Sequence, residues 1–191
     1  MSAWIEIIAE SEADSALLEK LDQVRAPNGT VDNVMKVHSL RPQTMIGHHS
    51  LYMSVLHHPD NTLPGWLLET IASYTSLLNR CSYSFANHWS NAAHLIGNDS
   101  LATKIHNALQ HDKPEQTFSG KELAILQYTK RLTVSPGDIC KEDIEALRKS
   151  GLDDGQILEV NQVCCYFNYV NRQLNGLGVT LEGDKIGYYS N

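Results

Sequence analysis

The stretch NRCSYSFANH, residues 79–88, holds a cysteine, a serine three positions later and a histidine four beyond that. At about 100° per residue on a helix, Cys81, Ser84 and His88 fall within a sector of roughly 60°, while Tyr83 points elsewhere. With Asn79 as the cap, Cys81 lies in the first turn, where the positive end of the helix dipole and free amides favour a thiolate. Such a sulfur is a better nucleophile than an ordinary one, and His88 is placed to shuttle its proton. Ser84 has no such chemistry: its hydroxyl holds its proton far more tightly than a thiol and cannot form a sulfenic acid or a disulfide. Its ordinary fate in a helix is a bond to a carbonyl one turn back, and no GxSxG context surrounds it.

Glu69 precedes Cys81 by twelve residues. On one unbroken helix it would be rotated about 120° from the sulfur, so a chain break near Leu78-Asn79 is needed to return it to the site. Its neighbours Leu67, Leu68, Ile71 and Ala72 argue for partial burial. A buried carboxylate needs a partner or a proton, which makes Glu69 a candidate general acid or base.

The elements that must position these groups are helices. Helical periodicity dominates, with neither sustained alternation nor a fixed repeat, and predicts an all-α fold. Residues 15–24 put Leu17, Leu18, Leu21 and Val24 on one face, ahead of the turn signal Pro27-Asn28-Gly29. A short helix is expected over 31–39 with Thr30 or Asp32 near its start, and a third from Pro42 to about His57. Pro64 opens a fourth with a wide apolar band, and a fifth carries the motif from after Asn79 to about Ile96. Further helices are expected near 100–109, 121–132, 141–149 and 156 to about 174, with Gly176 and Gly178 ending the last. The final residues, VTLEGDKIGYYSN, read as a surface tail or short strand. No linker interrupts the chain, so a single domain over 1–191 is predicted, with its core motif region at about 64–96.

Glu69, Cys81-x-Tyr83-x and His88 resemble the core signature of the alkylhydroperoxidase D and carboxymuconolactone decarboxylase superfamily. There a Glu is followed twelve residues on by Cys-x-x-Cys, with a His four after the second Cys. LLETIASYTSLLNRCSY (67–83) resembles the core helix pair of that family, while NVMKVHSLRPQTMIGHHSLYMSVLH (33–57) and CCYFNYVNRQLNGLGV (164–179) are similar to its peroxidase-related branch. The resemblance implies an alkylhydroperoxidase D-like helical fold assembled as a symmetric homo-oligomer, a trimer or hexamer. It also implies reduction of organic hydroperoxides, in which the cysteine nearer the histidine attacks, the first cysteine resolves, and Glu and His move protons. Glu69, Cys81 and His88 then take the acid, resolving-cysteine and histidine positions, Tyr83 is assigned to substrate binding, and Ser84 stands where the attacking sulfur belongs.

The expectation is therefore a peroxidase-related antioxidant oxidoreductase working through the single thiol of Cys81. Its partners would be a hydroperoxide substrate and an external thiol reductant, with Cys140, Cys164 or Cys165 as other candidates to resolve the oxidised sulfur. One alternative is a carboxymuconolactone decarboxylase-like lyase in which Glu69 and His88 move protons on a small carboxylated or lactone substrate, although no cluster of Arg offers itself to grip a carboxylate. Another is a non-catalytic oligomeric thiol-sensing or binding protein.

Composition narrows the field. A net charge of −7 without any Lys/Arg-rich cluster argues against nucleic acid as a partner. No stretch approaches the ~20 apolar residues of a membrane span, and MSAWIEIIAESEAD lacks the basic lead of a secretory signal, so a cytoplasmic protein is expected. The four cysteines form neither a disulfide framework nor a zinc pattern, and no two of the nine histidines stand at i,i+3 or i,i+4. No metal and no cofactor is expected. His49, Met53 and His57 form a stripe that reads as partly buried packing or an oligomer contact, and Asn168, Asn171 and Arg172 read as a buried hydrogen-bond network or subunit contact.

Overall fold

Helices start where the sequence supplies a partner for their free amides. Asp14 accepts from the Leu17 N–H at 2.8 Å ahead of α1 (Ser15–Gln23), and Asn98 and Asp153 do the same for Leu101 and Gln156 at the starts of α6 (Asp99–Gln110) and α9 (Asp154–Leu177). The computed structural model describes residues 2–26 and 29–189, so Pro27 and Asn28 of the expected turn lie outside the described residues. Between these helices come α2 (Asn33–Lys36), α3 (Pro42–Leu56), α4 (Gly65–Leu78), α5 (Ser82–Ile96), α7 (Gly120–Val134) and α8 (Lys141–Lys149). The fold is all-helical and single-domain, and no strand occurs among the described residues.

The centre is α4, whose residues from Leu67 to Ser76 are all buried. It packs against α5, α7 and α9, and burying side chains such as Leu67, Leu68 and Ile71 contributes roughly 2 kcal/mol apiece. The polar residues of this helix are satisfied locally: Thr70, Ser73 and Ser76 donate to the carbonyls of Trp66, Glu69 and Ala72, four residues back. Glu69 has no such local option and must find its partner on another helix. A second core joins α1, α2 and α3 through Leu17, Leu21, Val31, Met35 and Met45.

α4 turns back into α5 through a Schellman motif. The N–H of Arg80 bonds to the Leu77 carbonyl and that of Cys81 to the Ser76 carbonyl, both at 2.9 Å, with Arg80 in the left-handed region at φ 53°. This corrects the expected capping. Asn79 closes α4, and Cys81 itself occupies the N-cap position of α5 instead of its first turn. Asn79 cannot cap α5 because its side-chain amide donates to Asn168 and Asn171 on α9, both at 3.1 Å.

The last helix ends at Gly178, left-handed at φ 61°, while Gly176 lies inside the helix. Beyond it the chain is neither a strand nor a free tail. Asn33 donates its side-chain amide to the carbonyls of Thr180 and Glu182, both at 2.9 Å. The Asp184 carboxylate accepts from the Asn33 N–H and from the Tyr83 hydroxyl, the latter at 2.5 Å. Farther on, the N–H of Gly187 bonds to Asn87 at 3.1 Å and that of Tyr188 to Asn91 at 2.6 Å, strapping the segment across α5. Among the described residues no helix is long and apolar enough to cross a membrane.

Candidate active site

The α4–α5 turn brings Glu69 and His88 together. Glu69, 1% exposed, receives a 2.7 Å hydrogen bond from His88 Nδ1 and a 3.1 Å bond from the Asn91 side-chain amide, one on each carboxylate oxygen. Both partners lie on α5, three residues apart. With Nδ1 committed to the carboxylate, Nε2 is the nitrogen His88 offers to the space beside it. The Phe167 ring abuts the imidazole edge-on, its centroid 4.5 Å away, and holds the ring's orientation.

His88 borders a cavity of about 320 Å³, at the lower end of the range for small-molecule sites. Ser84, Asn87 and Asn91 of α5 share its wall with Tyr166, Val170 and Leu174 of α9. Tyr52, His49 and Met53 of α3 face it, and Tyr188 of the C-terminal segment covers it. His49 and Met53, read from sequence as packing or an oligomer contact, are thus cavity wall. Their companion His57 bonds the Tyr52 hydroxyl at 2.7 Å and stacks on Tyr188 at 4.7 Å. Burial pushes the Tyr52 hydroxyl well above the ordinary tyrosine range and holds His57 below the ordinary histidine range.

The cavity wall also carries charge. Asp32, Arg25 and Lys185 border it, and one buried oxygen of Asp32, Oδ1, has no hydrogen-bond partner. Burial, reinforced by the nearby Asp184 charge and opposed by Lys36, raises the Asp32 carboxyl to about 6. Arg25 is already engaged by Asp22 and Glu10.

Cys81 is a different matter. It is 1% exposed, belongs to the main core cluster and is not among the residues bordering the cavity, whereas Ser84 is. The helix-start argument predicted a lowered pKa, and here it fails. Burial pushes the thiol up, outweighing the backbone amides of Ser84 and Tyr83 and the Asn171 side chain, which favour the thiolate. The amide influence is real but weak, because none closes a capping bond to the sulfur. Of the other thiols, Cys164 is fully buried against Thr133 at 3.3 Å, and Cys140 and Cys165 are exposed; all four are free.

Ser84 is tied to Ser76 by a 3.0 Å hydrogen bond between hydroxyls, and Ser76 receives the Asn171 amide at 3.3 Å. This is the inner end of the asparagine network expected in the FNYVNR stretch, which continues through Asn79 and Asn168 to Arg172. Tyr83 reaches the cavity wall, but its hydroxyl is spent, donating to Asp184 and accepting from the Val34 N–H at 3.2 Å. Sequence reasoning overlooked Asn87, Asn91, Tyr52 and Tyr188. The asparagines carried a signal, since 84, 87, 88 and 91 share a helical face; the tyrosines carried none. Among the described residues no three His, Cys, Asp or Glu side chains converge on a point that would hold a metal ion.

No family model and no curated protein matches the sequence. Solved structures do match the backbone. The alkylhydroperoxidase D core of an uncharacterised peroxidase-related protein from Ralstonia eutropha JMP134 superposes with a TM-score of 0.80 at 18% identity, over 94% of this chain and 92% of that one. The fold is that of the alkylhydroperoxidase D core. An uncharacterised peroxidase-related protein from Silicibacter sp. TM1040 gives 0.79 at 20% identity, over 94% and 91%. A cysteine-to-alanine variant of the debrominase Bmp8, in complex with 2,3,4-tribromopyrrole, gives 0.71 at 16% identity, over 96% and 94%. The likeness read from the Glu69-to-His88 motif is thus matched by the peroxidase-related structures. At these identities it is a likeness of fold alone.

Proposed function

We propose that the cavity is a general acid–base site in which His88, held by Glu69, moves a proton on a small organic substrate. The observation that carries this reading is the arrangement of the wall: the Glu69-bound imidazole borders the cavity, while the motif's remaining sulfur lies outside it. The carboxylate fixes the ring and stabilises the imidazolium formed when Nε2 takes a proton; Asn91 holds the carboxylate in turn. This corresponds to the lyase-like alternative of the superfamily, with no sulfur step.

The walls suit a largely apolar molecule of modest size. Asp32 in the wall favours one that carries a hydroxyl or ring N–H donor. A pyrrole has that character, and a debrominase of the same fold binds a brominated one.

One observation favours a second reading, reduction of organic hydroperoxides by Cys81 with an external thiol: amides of Tyr83 and Ser84 and the side chain of Asn171 all favour its thiolate. One experiment separates the two. Small carbon acids, including substituted pyrroles, β-keto acids and lactones, are incubated with the protein in D₂O and followed by NMR, with cumene hydroperoxide consumption under dithiothreitol measured alongside. The acid–base reading expects deuterium incorporation or product formation that survives Cys81→Ala and is lost in His88→Ala. Peroxide consumption lost in Cys81→Ala, with no proton exchange, would replace it by the thiol reading.

A further inference from the structure

A second chain of hydrogen bonds starts at the wall of the same cavity. Tyr166 of α9 borders the cavity, and its hydroxyl lies 2.7 Å from His48 Nε2. His48 Nδ1 lies 2.9 Å from His38 Nε2, and His38 Nδ1 lies 2.6 Å from the Thr44 hydroxyl. His38, His48 and Tyr166 are buried, while Thr44 is exposed and shares a surface groove with His38, Arg41 and Gln173.

The polarity of this chain follows from its outer end. Thr44 donates its one proton to the Arg41 carbonyl at 2.8 Å, so its oxygen accepts from His38 Nδ1–H. His38 Nε2 is then an acceptor. It takes the His48 Nδ1–H, and the Gln173 side-chain amide lies 2.8 Å from the same nitrogen. That leaves His48 Nε2 to accept from the Tyr166 hydroxyl. From Tyr166 to Thr44 every donor points outward along the chain, and the Tyr166 oxygen keeps a second lone pair.

We infer that Tyr166 is a second proton acceptor of the cavity, connected to solvent at Thr44 by a relay through His48 and His38. The step conserves protons and involves no redox change. As a substrate X–H bond breaks, its proton joins the Tyr166 oxygen while the tyrosine's own proton passes to His48 Nε2. The His48 Nδ1 proton passes to His38 Nε2, the His38 Nδ1 proton to Thr44, and the threonine's own proton leaves the Arg41 carbonyl for water. The substrate is left as its anion, both imidazoles have changed tautomer, and Gln173 turns its amide to present oxygen to the new His38 N–H.

The electrostatics agree with a concerted relay. Burial raises the Tyr166 hydroxyl well above the ordinary tyrosine range, so a free tyrosinate is disfavoured. Burial, with the neighbouring His38 and His49, drives His48 down to about 3, and burial lowers His38 too. Both rings are therefore neutral at working pH and conduct by exchanging tautomers. Tyr169, edge-on to His48 at 5.8 Å, is the other titratable ring beside it.

The relay's use rests on the acid–base reading above, but its existence can be tested without turnover. In protein labelled with ¹⁵N-histidine, long-range ¹H–¹⁵N spectra should show His38 and His48 as neutral Nδ1–H tautomers. Tyr166→Phe should move the His48 Nε2 resonance toward that of an unbonded acceptor. Phenol, used as a cavity probe, should shift that resonance in the parent protein and leave it unmoved in Tyr166→Phe. The His48 ring N–H should exchange with water through Thr44, so Thr44→Val slows exchange by tenfold or more while Thr44→Ser restores it. Opposite tautomers would overturn the proposal, as would a phenol-insensitive Nε2 or exchange indifferent to Thr44→Val, the behaviour of a merely structural network. A working relay with no carbon acid deprotonated would instead count against the acid–base reading alone.

Discussion

Glu69 and His88 face each other at 2.7 Å across the α4–α5 turn, a carboxylate with 2% of its side chain exposed against an imidazole with 12%. Removing one member of a buried pair leaves the other without compensation, which costs about 3–5 kcal/mol. His88→Ala is therefore expected to lower the unfolding free energy by about 3 kcal/mol, because Glu69 keeps only its Asn91 bond. Glu69→Gln retains a hydrogen-bonding side chain and should cost about 1 kcal/mol in urea denaturation, while reducing any His88-dependent turnover by roughly 10²–10⁴-fold. Equal losses of stability in the two variants would contradict the pairing.

The burial of Cys81 makes its reactivity measurable. Cys140 and Cys165 are exposed, whereas Cys81 and Cys164 lie in the core, and burial raises the Cys81 thiol further. Iodoacetamide at pH 7.5 is expected to label the exposed pair first and Cys81 on the order of a hundredfold more slowly. Peptide mass spectrometry of a time course checks this, and early labelling of Cys81 would revive the single-thiol reading.

Asp32 links the cavity to pH. Its folded carboxyl sits at about 6, above its ordinary value of 3.8. The folded state thus holds a proton that the unfolded chain has released across that window. Stability from this group is present below about pH 4 and lost as pH rises through 6. Allowing for solvent screening of a partly exposed group, the loss is about 1–2 kcal/mol. Asp32→Asn should raise the urea midpoint at pH 7 and flatten its fall between pH 4 and 7; an unchanged slope would assign the titration to another group.

The helices, and a break near Leu78-Asn79 that returns Glu69 to the motif, were legible because both follow from local rules: apolar period and turn residues. The fate of Cys81 was not. Whether a sulfur at a helix start meets amides or a closed core depends on α9, whose Asn171 stands about ninety residues away in sequence. Asn79 looked like a cap for the same reason, since its competing partners Asn168 and Asn171 are equally remote. The C-terminal segment read as a tail because glycines and turns carry no periodicity, yet side chains of Asn33, Asn87 and Asn91 bind its backbone.

Gly187 tests whether that segment covers the cavity. It sits at φ 89°, and a Cβ there would meet the Ser90 hydroxyl at 2.7 Å. Gly187→Ala combines left-handed strain with a clash and is expected to release the bonds to Asn87 and Asn91 without unfolding the helical core. Hydrogen exchange of the Tyr188 amide should rise at least tenfold while the α4 amides keep their protection. Protection lost in both would mean that the segment is part of the core.

Ser84→Cys asks whether the site still has the geometry of a dithiol centre. Position 84 lies on the cavity wall and position 81 at the N-cap, where the backbone is extended at φ −100°, ψ 93°. Residues three apart in a helix hold their Cβ atoms about 5–6 Å apart, too far for a disulfide's roughly 3.8 Å. The extended N-cap permits the closer approach. The introduced sulfur meets a hydroperoxide from the cavity, is oxidised to a sulfenic acid as the peroxide becomes an alcohol, and is then attacked by Cys81 with loss of water. One equivalent of cumene hydroperoxide is therefore expected to produce an 81–84 disulfide, seen as a loss of two hydrogens from the peptide pair and reversed by dithiothreitol. Over-oxidation at position 84 without that crosslink would show that Cys81 is packed too firmly to turn toward the cavity, and that the serine marks a site committed to proton transfer.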